Sequence, residues 1–506
     1  MSTIAIIADI HLPPESNTLK DKYLDYALQQ ISKKNPDLLL MAGDATSTGA
    51  LPALQRFYDK LDALSVKKLS TIGNSDLRTP STNVQATDML ETGGIKYLDD
   101  CTVVLISYYD VEKDLRILKK LAEGTDSLLL ICSHFSLTEL KPQVMGKVKD
   151  LLSQCPKSIF VAGHLHENVY SGRNENPQHL ICGLDPDKAV GGPCVTYFET
   201  DGSDWQRQDA ELNWLTPENW SSEIIKTLLQ KLGFSTMNDP IGGLEYAAFQ
   251  RIPCVELRAM QTDLVDSEKL NYALTAWRTN IPEHCLSMHL DDVTFDEENI
   301  LSPDYSLLKS SVKLAISLGV HQVTVHLPGF DESFQNDSEF FNQIIRDYTE
   351  LLKPLIKQNI IIGFENMHLN EDQIRGRFGC SPHEAVKWID SFKEFSNYSR
   401  TGLHFDQGHA RNNGILGRDF NISQWYAIAG HMITGYHLHQ VSSTSDGMIN
   451  HTEFISPYGK LIPLTSFFAA WHEKIINRAP VFLEIRGEGI PTSLMLLRNY
   501  LLLNNK

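Results

Sequence analysis

Apolar runs long enough to cross a membrane are missing from this 506-residue chain. None approaches the ~20 residues such a span requires, and the first, IAIIADI, is broken by Asp9 and follows no basic stretch. That predicts a protein neither exported nor membrane-embedded, with a cytoplasmic location and no membrane partner. Paired cysteines are missing as well: the eight, at 101, 132, 155, 182, 194, 254, 285 and 380, form no CxxC, and several lie inside apolar runs such as SLLLICSH. They read as reduced core thiols. Positive charge is short, with 45 Lys plus Arg against 63 Asp plus Glu and a formal net charge of -18. A long polyanion meets a repulsive field, so nucleic acid is an unfavoured partner. There is no short-period repeat and no low-complexity tract. What remains, 42% hydrophobic and 21% charged residues, is the composition of a globular protein and leaves self-association open.

This length exceeds one ordinary core and predicts two domains, one of them a barrel of ~250 residues. From residue 1 to 213, apolar runs (TIAIIAD, PDLLLMAGD, KKLSTIGN, CTVVLISYYD, SLLLICSH, KSIFVAGH) alternate with helical patterns, and PCVTYFETDG with WQRQDAEL reads as a closing hairpin. Residues 214–232 read as a polar entry and an amphipathic linker helix, with Pro217 near its start and Gly233 at its end. Residues 233–506 hold a more regular alternation. Its strands are GFSTMN, PCVELRA, CLSMHLDD, HQVTVHLPG, IIIGFENM, TGLHFDQGH, ITGYHLHQV and PVFLEIRG. Eight strands alternating with helices predict a (β/α)8 barrel.

The strand ends of the first half carry chemistry. ADIH offers Asp9 and His11, AGDAT Asp44, IGNSD Asn74 and Asp76, CSHFS His134, and AGHLH His164 and His166. Residues two apart on an extended segment face one side, so Asp9 and His11 are expected to converge. A mixed set of nitrogen and oxygen donors at one sheet edge suits transition-metal ions. The ordered set resembles the calcineurin-like metallophosphoesterases, whose pattern is DxH, GDxx, GNxD or GNxE, H and GHxH. ICGLDPDKAVGGPCVTYFE is also similar to the segment after GHxH in small bacterial members. The resemblance implies an αββα sandwich that hydrolyses phosphodiesters or phosphomonoesters with two divalent ions (Mn, Fe, Zn or Ni). Asp44 would bridge them, Asp9, His11 and His166 would complete one site, and Asn74, His134 and His164 the other. Asp44, Asn74, Ser75, Asp76 and His134 are the catalytic candidates. Many members carry His after the Asn, where it protonates the leaving group; Ser75 in that place implies a preference for good leaving groups.

The barrel strands end in a second set: His289, His326, Glu365, Asp406, His409, His437, His439 and Glu484, with His451 in a following loop. On a barrel these fall on the C-terminal face, where active sites are built. ENM, DxxH and HLHxx, the His-containing loop and a final strand with LE resemble the xylose isomerase-like barrels, which include sugar-phosphate isomerases, epimerases and the endonuclease-IV-type hydrolases. The resemblance implies a metal quartet of Glu365, Asp406, His437 and Glu484, with Glu365 and Glu484 also catalytic and His437 preferred over His439. His289, His326, His409 and His451 extend the match towards three-metal hydrolases. The aspartate expected two residues before His451 is Ile449, and Asp446 is an imperfect substitute. His404 is assigned no role. One to three divalent ions (Mn, Zn, Mg or Co) are implied.

The leading expectation is a bifunctional metalloenzyme, a phosphoesterase fused to an isomerase or epimerase barrel, acting on a small phosphorylated or sugar-like substrate. The alternatives are a trinuclear hydrolase barrel acting on nucleic acid, and a barrel that only binds.

Overall fold

The computed structural model describes residues 1–506 except 92, 123–127, 156, 172–177, 297–298, 332–333, 335, 370–374, 445–446, 460 and 506. The chain divides into two compact units, Met1–Trp214 with Pro463–Ser466, and Leu215–Ile462 with Phe467–Lys506. Residues 214–232 hold the short turn Pro217–Asn219 and the helix Ser222–Leu229. No helix among the described residues is long and apolar enough to cross a membrane, and all eight cysteines are free.

The first unit is built on two sheets. Its strands in chain order are β1 (Ser2–Ile7), β2 (Leu38–Ala42), β3 (Lys68–Thr71), β4 (Gly94–Tyr97), β5 (Cys101–Leu105), β6 (Leu128–Ser133), β7 (Ile159–Ala162), β8 (Val169–Ser171), β9 (Gln178–Leu180), β10 (Cys194–Thr200) and β11 (Trp205–Glu211). One sheet runs β11-β10-β1-β2-β3, the other β4-β5-β6-β7-β9-β8. Ile4, Ile6, Leu38 and Leu40 of the first meet Val103, Leu105, Leu130 and Val161 of the second in one buried cluster. The opposite face of the second sheet, Val104, Leu129 and Ile131, is covered by Leu118, Leu121, Val144 and Val148 from the helices Val111–Ala122 and Pro142–Gln154. A strand buried on both faces must be apolar throughout, which is why LLLMA of β2 carries no polar residue. This is the expected αββα sandwich.

The second unit closes a parallel barrel of β12 (Leu232–Ser235), β13 (Cys254–Arg258), β14 (Cys285–His289), β17 (Gln322–His326), β19 (Ile361–Glu365), β21 (Thr401–Asp406), β22 (Ile433–Leu438) and β25 (Val481–Leu483), in that order around the ring. These are the eight strands expected from the sequence. Three two-stranded ribbons emerge from the connections: β15 (Thr294–Asp296) with β16 (Asn299–Asp304), β18 (Gly329–Asp331) with β20 (Arg375–Arg377), and β23 (Gln440–Thr444) with β24 (Gly447–Thr452). Helix Pro382–Ser396, between β19 and β21, shows how a helix is set: Ser381 caps it in a box with Glu384, Pro382 opens it, and Asn397 ends it at φ 50°. β14, β17, β19 and β21 each end on a titratable side chain, so the strand termini themselves deliver the rim.

Candidate metal centres

The ligand-type residues of the first unit do not converge by strand alternation, as expected for Asp9 and His11. β1 stops at Ile7, and both residues lie beyond it in the left-handed region, at φ 51° each. Asp44 (φ 53°), His164 (φ 68°) and His166 (φ 54°) share that conformation. Each left-handed residue turns the loop back over the sheet edge, at a cost of ~1–2 kcal/mol apiece that the surrounding bonds must hold in place.

The result is one compact cluster. His11 Nε2 lies 3.6 Å from Asp44 Oδ2 and 3.9 Å from Asp9 Oδ1, and His166 Nε2 lies 4.0 Å from Asp9 Oδ1. On the other side of Asp44, His134 Nε2 is 3.5 Å from Oδ2, 3.2 Å from Asn74 Oδ1 and 3.2 Å from His164 Nδ1. His134 Nδ1 faces the Ala42 carbonyl at 2.8 Å, an arrangement that leaves Nε2 as the donor atom. Asp9 Oδ1 and both nitrogens of His11 are buried with no hydrogen-bond partner. Buried polar atoms are almost always paired, so these orphans fit a cation. Burial, reinforced by Asp44 and opposed by His134, pushes the Asp9 carboxyl up to about 8, the cost of holding these carboxylates without one.

Ser75 and Asp76 lie beside Asp44. Ser75 is fully buried; its hydroxyl donates to Asp44 Oδ2 at 3.0 Å and its amide to Oδ1 at 2.7 Å. Both groups hold the Asp44 carboxylate in place. Asp76 accepts from the Gly73, Ala45 and Thr46 amides and from the Thr46 hydroxyl, so it clamps the loops on either side of Asp44.

In the barrel, Glu365 is the hub. Its Oε2 lies 3.2 Å from His289 Nε2 and 3.1 Å from His326 Nε2, and those two nitrogens are 3.2 Å apart. Tetrahedral donors bonded at ~2.0–2.1 Å to one ion stand ~3.3–3.4 Å from each other, close to this triangle. His289 Nδ1 faces the Leu290 carbonyl at 3.0 Å and His326 Nδ1 faces Asp292 at 2.5 Å, which turns both Nε2 atoms inward. The other oxygen, Oε1, lies 3.2 Å from His437 Nδ1 and 3.3 Å from His409 Nδ1. His437 Nδ1 also faces Glu484 Oε2 at 3.4 Å and Asp406 Oδ2 at 3.9 Å, so the expected quartet does converge.

His439 joins the rim as well. Its Nε2 lies 3.2 Å from both Asp406 oxygens, and it groups with His451 and Glu484. His451 Nδ1 is 3.2 Å from Glu484 Oε2. Ile449 is 48% exposed on β24, while Asp446 lies outside the described residues. His439 therefore supplies a donor beside His451 that the Ile449 position does not. Gly408 makes this possible, because a Cβ there would meet His439 Cε1 at 1.8 Å.

Sequence reasoning missed Glu256. It is fully buried on β13, with Oε1 2.7 Å from His437 Nε2 and Oε2 accepting from Ser287 and Thr324. A carboxylate centred in the otherwise apolar run PCVELRA was the available signal, since alternation with Arg258 points both inward. His404 belongs to the same network through Thr324, and burial lowers it to about 3. Burial opposes protonation of His437 and His326 too. Glu256 and Glu365 nevertheless hold His437 up at about 10, and Glu365 with Asp292 does the same for His326. A metal bound at these nitrogens would have to displace those protons.

Two clusters of buried histidine and carboxylate, one at a sandwich edge and one in a barrel mouth, give each unit a candidate metal-binding centre. Residues 241–500 match the xylose isomerase-like TIM barrel family, and the chain belongs to it. Residues 2–168 match the calcineurin-like phosphoesterases, a family that supports a hydrolase. Solved structures similar to parts of the chain include a D-tagatose 3-epimerase-like protein (19% identity, TM-score 0.41, covering 54% of this chain and 98% of that one). A dimetal phosphatase from Danio rerio is also similar (13%, 0.35, 41% and 95%). So is a xylose isomerase domain protein from Alicyclobacillus acidocaldarius (18%, 0.37, 54% and 98%). No curated protein matches the chain.

Proposed function

We propose that both units hydrolyse phosphoesters, the first with two divalent ions and the barrel with a cluster of up to three, on small phosphorylated substrates. In each, ions held by these donors would act as Lewis acids on phosphoryl oxygens. In the first unit Asp44 stands between the two donor groups, held by Ser75, while Asp76 fixes the loops that carry it. Asn74, His134 and His164 stand together on one side of Asp44.

For the barrel, the observation that carries the reading is the crowding of Glu365 by four imidazoles. An epimerase or isomerase needs a carboxylate with a free oxygen to move a proton. Both Glu365 oxygens face imidazole nitrogens, and Oε2 is buried without a hydrogen-bond partner, which suits a bridging ligand. A cavity of about 500 Å³ at the rim, in a chain of net charge -18, favours a small molecule over nucleic acid. One observation favours the isomerase or epimerase reading: Glu365 and Glu484 flank His437 Nδ1, as a pair of proton-exchanging carboxylates would flank a substrate.

The test is aryl phosphoester hydrolysis by the full chain with Mn, Zn or Mg supplied. Asp44→Asn should remove the larger part of the activity, and the remainder should vanish in the Asp44→Asn, Glu365→Gln double variant. A single-variant remainder of zero, with ketose phosphate interconversion retained, would establish the isomerase reading. Absence of barrel metal and of both activities would leave a binding module.

A further inference from the structure

Apart from Glu256 on β13, which groups with His404 and His437, the ligand-type side chains described above rise from β14, β17, β19, β21, β22 and β25 and the loops beside them, which leaves the outer rim over β12 and β13 to other side chains. That sector is basic. Arg258 ends β13, two residues beyond Glu256 on the inward face, and Arg486 follows Glu484 by two just past β25. β12 pairs with both strands, and Asn238 follows it, between the two arginines along the rim. All three line the cavity that also holds Glu365 and Glu484.

Arg258 Nη2 touches Glu484, and its Nε is buried without a hydrogen-bond partner. Arg486 is exposed and makes no ion pair among the described residues, while its amide donates to the His451 carbonyl at 2.9 Å and so fixes the backbone that carries it. Of the two remaining carboxylates lining the cavity, Asp292 is engaged by His326. In a chain with 63 acidic and 45 basic residues, guanidinium groups gathered beside a metal-ligand cluster are not an ordinary solvated face.

We propose that Arg258 and Arg486, with Asn238, form an anion subsite that seats a phosphate monoester group of the barrel's substrate, separate from the group presented to the metal ligands. Two guanidinium forks and an amide offer more donors than a planar carboxylate accepts, and match the several oxygens of a tetrahedral dianion. The inference rests on the reading of the rim as a metal-loaded catalytic centre, and it adds a positive charge beside that centre.

The experiment is calorimetric titration of the full-length, Mn-loaded Asp44→Asn protein with D-ribose 5-phosphate and with D-ribose. Ribose 5-phosphate should bind at least ~10-fold more tightly than ribose. Arg486→Gln should weaken the phosphorylated ligand by ~10–100-fold, as expected for losing a charge-assisted pair, and leave both ribose binding and metal content unchanged. Arg486→Lys should recover part of the loss. Equal binding of the two ligands, or unchanged ribose 5-phosphate affinity in both Arg486→Gln and Arg258→Gln at full metal content, would overturn the subsite. A parent protein without barrel metal would overturn the metal-centre reading instead, and Arg486-dependent phosphate binding would survive it.

Discussion

Ser75 and Glu256 show how much of each centre depends on residues that touch no reacting group. The Ser75 hydroxyl reaches only Asp44 within the first cluster, so Ser75→Ala should lower hydrolysis of aryl and alkyl phosphodiesters by the same factor. One hydrogen bond to a charged group is worth about 1.5–3 kcal/mol, an upper bound of ~10–100-fold. A loss confined to alkyl esters would mean that the hydroxyl serves the leaving group. Glu256 acts through His437: its carboxylate holds one imidazole nitrogen at 2.7 Å so that the other faces Glu365 and Glu484. Glu256→Gln should weaken metal retention in the barrel by ~10–100-fold, the usual effect of removing a partner behind a ligating histidine, and leave the first unit's metals untouched. Chelator competition reads both numbers. His439→Ala should remove the ion nearest His451, whereas Ile449→Asp should add none, because that position is half exposed on β24. The rim was legible because its residues fall at the ends of apolar runs, and the quartet of Glu365, Asp406, His437 and Glu484 within it through the resemblance to the xylose isomerase-like barrels. Glu256 was hidden because it sits in the middle of such a run.

At the scale of elements, the eight barrel strands were legible because each is a short, largely apolar run and most carry a titratable residue at or just past the end, the pattern a strand buried on both faces requires. The ribbons β15–β16, β18–β20 and β23–β24 were not, because segments such as GFD and RGR lack the alternation that marks a half-buried strand. β4, β8 and β9, at four, three and three residues, went unread as well. The loops of the first centre were legible as motifs but not as geometry: ADIH looks like a strand end, yet Asp9 and His11 reach their places through left-handed backbone. Gly43 belongs to that loop system. It has φ 84°, and a Cβ there would lie 2.6 Å from the His134 ring. Gly43→Ala should therefore displace His134, lowering both the metal content of the first unit and its melting temperature. The left-handed strain alone amounts to ~1–2 kcal/mol, before the collision is relieved. Unchanged metal content would show that the loop can move aside.

For the whole molecule, each cluster draws its ligands from one compact unit: residues 9–166 for the first, and 256–484 for the second, outside the 463–466 segment. Among the described residues named here as ligands, no side chain is common to both, so these sets do not couple one centre to the other. Sites without shared partners should lose their ions additively. Elemental analysis of the loaded full chain after gel filtration should show the first unit's ions missing from Asp44→Asn and the barrel's from Glu365→Gln. The double variant should lose the sum. Asp44 is the donor that both groups of the first centre approach, and Glu365 is the hub of the second, so each substitution takes out a centre and not a single ligand. The net charge of -18 adds a general attraction for cations, which salt screens over ~8 Å at physiological ionic strength and which the clusters, being buried, largely escape. Retention should therefore survive 0.5 M salt in the parent and differ between the variants in the same steps. Barrel ions lost from Asp44→Asn, or first-unit ions lost from Glu365→Gln, would show that the two centres are linked through the fold and not merely joined on one chain.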